Sequence, residues 1–297
     1  MTALKIFEKF LADGYAISLA PTEKDFYGLW HARGIENLPP CEMAVAGALL
    51  ADRLPWAFTA GYQATLRHSF PRLPRGGWAA FIATEDPKEP ERYPGTTLSD
   101  AEDGYVLNGY KLWVAHSELL NHLIVTVNDP DGDKRGARGV IFERSRTGVE
   151  ITQRSSRGFL AAMSQGFARF SDTPIARTEV FDFEAIRQFG RNEAKFVMLS
   201  ATTFMLARLE EGSELQDRLL SLAAAFVTLV SELDTSRRVY AGVDREYQRC
   251  VDAFEQQIDT SAIGDYKTDG RMFRMYTDRI QRRRGYAKAE LENPKSN

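Results

Sequence analysis

The stretch Trp78-Ala79-Ala80-Phe81-Ile82-Ala83-Thr84-Glu85-Asp86-Pro87, with Asp103-Gly104-Tyr105-Val106-Leu107-Asn108-Gly109-Tyr110-Lys111-Leu112-Trp113-Val114-Ala115 after it, decides how the chain reads. Trp78 to Ala83 is an apolar run halted by the polar, proline-broken segment Thr84 to Pro94. This is the pattern of a buried strand that delivers a loop to a sheet edge. Asp103-Gly104 punctuates the chain, and Asn108-Gly109 predicts a hairpin turn between Tyr105–Leu107 and Tyr110–Val114. A strand ending at Thr84 and a second arm ending near Trp113 bring a small hydroxyl and a flat indole together. Such a pair suits a planar ring.

Before this stretch the spacing is helical. Apolar residues at Leu4, Ile6, Phe7, Phe10 and Leu11 precede Asp13-Gly14, and Thr22 stands as N-cap for a helix to Ala32. Pro39-Pro40 opens an Ala-rich helix over Cys41–Asp52, a further helix covers Phe58–Phe70, and Pro71 to Gly77 links to the strands. From 78 to about 180 turn signals recur at close spacing around Leu123–Val127, Gly139–Phe142, Gly148–Ile151 and Phe167–Phe170. Asn128 to Asp133 reads as one of those turns. That pattern fits a small antiparallel sheet or barrel and not βαβ units. Helices then return over Glu193–Leu209, Ser213–Leu233, Asp244–Ile258 and Thr268–Glu290, enough for a bundle. The expected organisation is α+β: an N-terminal helical domain over 1–77, a β-domain over 78–182 and a helical bundle over 183–297.

Bulk properties narrow the function classes. A net charge of −3 over 297 residues gives no reason to expect nucleic acid or an anionic membrane as partner. Leu219 to Val230 is apolar but too short to span a bilayer. Lys5, Glu8, Lys9 and Asp13 interrupt any signal-peptide pattern, and Cys41 and Cys250 read as separate reduced thiols, so the expected location is the cytoplasm. His31, His68, His116 and His122 lack metal-ligand spacing, and no metal is expected. The run Arg279, Arg282, Arg283, Arg284 reads as the solvated face of a helix.

Ala83-Thr84-Glu85 together with the Asp103 to Val114 segment resembles the central β-domain of acyl-CoA dehydrogenases, whose order of helices, strands and helices the chain also shares. The resemblance implies FAD or FMN as cofactor, an acyl-CoA or related carbonyl substrate, and α-proton abstraction by a carboxylate with hydride transfer to the flavin. It matches Phe81, Ala83, Thr84, Trp113 and Ala115 to positions of the flavin wall, Ala115 standing where the family usually has a threonine. It matches Glu193 to the catalytic glutamate of the isovaleryl and long-chain branches, at the start of the first C-terminal helix. A glutamate in a first helical turn is also favoured by the helix dipole alone. The chain departs from the family in its charged, proline-rich 86–94 loop. It also lacks an Arg-x-x-Phe-Gly segment after that helix; the nearest likeness, Arg187 to Arg191, precedes Glu193. Nor does the stretch Asp265 to Gly270 match the loop from which other branches project their base. Alternatives follow from these departures: a half-equipped subunit assembling with a complete paralogue in a homo- or hetero-oligomer, or a related flavin monooxygenase.

Overall fold

A computed structural model describes residues 3–127, 138–155, 158–231, 237–271, 273, 274 and 276. Four helices come first: α1 (Ala3–Ala12), α2 (Glu23–Ala32), α3 (Pro40–Leu50) and α4 (Leu54–Ser69). Thr22 caps α2 as its sequence implies, its hydroxyl accepting from the Asp25 N–H while the Asp25 carboxylate accepts from the Thr22 N–H. Helix α3 is buried from Met43 to Leu50 with no polar face, and α4 is buried along nearly its whole length. Both therefore lie inside the protein, between other elements.

The strands form two four-stranded sheets. One has the order β1 (Trp78–Ile82), β4 (Leu120–Val127), β5 (Arg138–Glu143), β8 (Val180–Phe181). The other has the order β2 (Thr97–Ala101), β3 (Gly104–Ala115), β7 (Gln165–Ile175), β6 (Val149–Arg154). All ladders are antiparallel except β1–β4, which are parallel because the β2–β3 excursion intervenes between them. Alternate residues of the two sheets, among them Ile82, Leu107, Val114, Leu123, Phe142 and Phe170, face each other as a core.

One local expectation fails. Asn108-Gly109 is no hairpin turn: β3 runs through it, and the chain reverses at Glu102–Asp103. The glycine serves a different need. At φ 124° its missing Cβ would stand 2.5 Å from the Gly95 carbonyl oxygen and 2.7 Å from the Thr96 Cα, and the β3–β7 register shifts there. The sequence signal is real, but it marks a bulge under a crossing backbone.

The C-terminal part comprises α5 (Phe183–Leu206), α6 (Glu214–Ser231), α7 (Arg237–Gln257) and the short α8 (Tyr266–Asp269). The expected fourth helix is described only at its beginning; residues from 277 on, including the arginine run, and the Asn128–Asp133 turn lie outside the described residues. Helices α1 to α7 contribute to a single apolar core. At its centre α4 and α5 touch backbone to backbone at Gly61, where a Cβ would meet the Phe196 carbonyl oxygen and the Val197 Cα at 2.7 Å. Neither helix can yield there without losing its packing. Gly61→Ala is therefore expected to destabilise the protein by about 1–3 kcal/mol, read as a lowered urea midpoint with unchanged slope.

No helix among the described residues is long and apolar enough to cross a membrane, and no group of metal-ligating side chains occurs among them.

Candidate functional site

The segment after β1 and the end of β3 are joined by a backbone hydrogen bond. Beyond β1, the Thr84 carbonyl accepts the Leu112 N–H at 2.8 Å, which sets Thr84 alongside Leu112, the residue before Trp113. Ala83 and Thr84 are exposed, and Trp113 is half-buried with its Nε1–H donated to Gln165 Oε1 at 3.1 Å. Ala115 is fully buried and offers no side-chain donor. A hydroxyl and an amphipathic indole on neighbouring segments are the residue types that meet the edge and face of a planar heterocycle.

The Phe81 side of the same wall is closed by the protein. Its ring stacks on Phe189 of α5, centroids 4.2 Å apart at 27°. Phe70 approaches both, Phe181 packs edge-on against Phe70, and Tyr62 packs edge-on against Phe189. The Tyr62 hydroxyl accepts the Phe81 N–H at 2.7 Å, tying α4 to β1. Burial pushes that hydroxyl upward in pKa; the Phe81 backbone bond opposes this, and the charge of Glu193 adds to it. Glu193 therefore stands within electrostatic reach of the wall.

Glu193 is not at a helix start. Helix α5 begins at Phe183 with Asp182 as cap, its Oδ1 accepting from the N–H groups of Glu184 and Ala185. The segment Arg187 to Arg191 lies inside the helix and not before it. The reason is that the Asp182 cap and the aromatic anchor at Phe189 extend the helix backward through Gly190. Glu193 is thus about three turns in, and the dipole of a first turn does not account for it. It shares a helix face with Phe189 one turn earlier, and its Oε1 accepts from the Tyr276 hydroxyl at 2.9 Å.

The loop after Thr84 is held by a buried ion pair. Lys111, only 1% exposed, donates to Glu85 Oε1 at 2.7 Å and to Thr126 Oγ1 at 3.1 Å. The same Glu85 oxygen accepts the N–H and hydroxyl of Thr96, each at 2.9 Å. Burial alone would raise the Glu85 carboxyl, but Lys111 and Thr96 together hold it below its ordinary value. Burial pulls the Lys111 ammonium down while Glu85 pushes it up, and the net direction is downward. Pairing outweighs burial at Glu85, because three donor contacts converge on one carboxylate oxygen.

Behind the wall, His116 is buried in left-handed backbone (φ 56°), with Nδ1 2.7 Å from Glu23 Oε1 and its ring 4.6 Å from Trp78. It is packed within the core and lines no open surface. Arg208, the first arginine after α5, is likewise engaged inside the protein. It donates to the carbonyls of Phe204, Ala51 and Asp52, and burial lowers its pKa to about 10. It is not placed to take the role of the absent arginine motif.

Asp269 closes the neighbouring loop. Its Oδ1 accepts the Leu160 N–H at 2.6 Å, and burial raises its carboxyl to about 6, against the opposing pull of that bond and with the Asp265 charge adding. The folded state then holds a proton between 3.8 and about 6 that the unfolded chain has released, so this group's contribution to stability falls as pH rises through that window. Asp269→Asn keeps an acceptor for Leu160 and removes the buried charge. It is expected to flatten the pH dependence of the thermal midpoint in that window and to raise stability at pH 7 by up to about 2–3 kcal/mol.

Three residues of this neighbourhood escaped the sequence reading: Tyr62, Phe189 and Tyr276. Phe189 carried the one usable signal, its i, i+4 spacing from Glu193, which shows only once α5 is known to begin at Phe183.

No protein-family model matches the chain, and no curated protein matches its sequence. Solved structures do match. FkbI, for biosynthesis of the methoxymalonyl extender unit of a polyketide immunosuppressant, is 11% identical with a TM-score of 0.61, covering 97% of this chain and 99% of that one. The prolyl acyl carrier protein oxidase AnaB is 13% identical with a TM-score of 0.58, covering 94% and 85%. Butyryl-CoA dehydrogenase from Megasphaera elsdenii is 14% identical with a TM-score of 0.53, covering 94% and 83%. At such identities the likeness is one of architecture, and it extends over nearly the whole chain: helices, two small sheets and helices again, the acyl-CoA dehydrogenase-like fold.

Proposed function

We infer that the chain is a flavin-dependent oxidoreductase acting on an acyl thioester or related carbonyl substrate, with Glu193 as the base. The supporting observation is the common face of α5 that carries Glu193 and, one turn before it, the phenylalanine stacked on Phe81. In support, the Glu193 charge is close enough to the wall to act on the Tyr62 hydroxyl that bonds Phe81. Two of the matching structures are a butyryl-CoA dehydrogenase and a prolyl acyl carrier protein oxidase, and a third is an FAD complex of PigA. By that analogy the substrate here is an acyl group on CoA or on a carrier protein, and the cofactor is FAD or FMN.

In this reading Thr84 and Trp113 hold the edge and face of the isoalloxazine, and Ala83 lets it approach the backbone. Flavin, when bound, accepts the hydride. Glu193 takes the α-proton, the Tyr276 hydroxyl orients its carboxylate, and Tyr62 holds the β1 end against α4. The donor set is incomplete on both halves of the cofactor, since Ala115 offers the ring no hydroxyl and Arg208, bonded internally, offers the dinucleotide no guanidinium. Those two features favour, as a second reading, a subunit that completes its cofactor contacts only in a homo- or hetero-oligomer.

Purified protein reconstituted with FAD separates the two. Uptake of flavin with a visible band bleached anaerobically by an acyl-CoA or acyl carrier protein thioester supports the enzyme. A preparation that stays colourless at millimolar FAD overturns it and leaves the subunit reading.

A further inference from the structure

Phe189 occupies an unusual place. Its ring lies nearly parallel to Phe81 at 4.2 Å, the separation and angle at which a planar ligand would itself stack on that wall. Apart from Phe189 the helix segment that carries it is held at its surface, by the Asp182 cap and the exposed pairs of Glu184 with Arg187 and Arg191. From Asp182 to Gln188 every residue is exposed or half-buried, and Phe189 is the first buried side chain of α5. Gly190 follows directly, in open space where an added Cβ would meet nothing within 4 Å. A glycine with no packing reason inside a helix weakens it by about 1 kcal/mol relative to alanine. The helix thus has its softest point one residue beyond the ring that covers the wall.

We propose that Phe189 is a displaceable plug: a planar ligand reaches Phe81 by taking the place of the Phe189 ring, and residues 183–190 unwind at Gly190 to release it. The inference rests on the flavin reading above, because it is the Thr84–Trp113 wall that supplies the planar ligand's other contacts. It makes Phe189 the residue that sets how large and how flat an occupant of the seam must be. A ligand that stacks as well as phenylalanine displaces it; an aliphatic group of the same length does not.

The test is direct binding, independent of turnover. FMN and FAD are titrated into wild-type, Phe189→Ala, Phe189→Leu and Gly190→Ala proteins, followed by flavin fluorescence, with amide exchange of residues 183–190 measured before and after. Removing the competing stack is expected to tighten binding about 2- to 10-fold in Phe189→Ala, with Phe189→Leu between it and wild type. Gly190→Ala stiffens the helix and is expected to slow association and reduce exchange over 183–190, while flavin increases that exchange in wild type. Unchanged affinity in both Phe189 variants, with wild type binding flavin, overturns the plug and leaves the flavin reading intact. Absence of flavin binding in all four proteins overturns both. Should Phe189→Ala fail to fold, Phe189→Leu and Gly190→Ala decide the question alone.

Discussion

Glu193→Gln is expected to slow bleaching of the bound flavin by an acyl thioester about 10²- to 10⁴-fold, the range for loss of a positioned general base. The replacement is close in shape, and the amide oxygen still accepts from the Tyr276 hydroxyl 2.9 Å away, so the seam keeps its packing. Flavin uptake should be unchanged, because Glu193 belongs to the helical side and not to the Thr84–Trp113 wall. Anaerobic stopped-flow absorbance at the flavin band gives the rate, and equilibrium titration gives the uptake. A variant that bleaches at the wild-type rate moves the base elsewhere. Tyr276→Phe should have a smaller effect, since it removes an orienting bond and leaves the carboxylate.

Glu85→Ala is expected to cost about 3–5 kcal/mol of folding stability, because it strands the Lys111 ammonium in an environment where the residue is 1% exposed. Thr96 loses its acceptor at the same time, and the 86–94 loop loses its tether to β3 and β4. Replacing both members, Glu85→Gln with Lys111→Met, removes the charges together and keeps an oxygen for Thr96; most of the loss should be recovered. Urea unfolding of the single and double variants measures the difference. The sign of the pH effect follows from the depressed Glu85 carboxyl. Its stabilisation is complete above the ordinary value of 4.5 and is lost as pH falls through the lower folded value. Wild type should therefore lose stability below pH 4.5 more steeply than the double variant.

The coarse architecture was legible because periodicity and punctuation do not depend on distant partners. Thr22 as a cap, the prolines before α3 and the apolar run of β1 all mean in the structure what they mean in the sequence. Asn108-Gly109 was misleading because a glycine with positive φ serves a turn and a bulge equally well, and only the crossing Gly95–Thr96 backbone selects the bulge. The start of α5 was missed for a tertiary reason. Gly190 argues locally for a helix boundary, and the stacking of Phe189 on a strand residue 108 positions earlier overrides it. At the site, the proposed wall residues come from the family likeness of one segment. The groups facing them come from α4, α5 and the region beyond α8, and no short motif announces them.

The apolar α3–α4 pair reaches its partner α5 only after the entire strand region has been made. On a ribosome, more than a hundred residues of chain emerge between Ser69 and Phe183. Throughout that interval a water-averse helical hairpin has α1 and α2 against it but lacks its main partner. Nascent fragments that stop before Leu206 should therefore be sticky and retained by holdase chaperones, and commitment to the native state should await release of α5 from the exit tunnel.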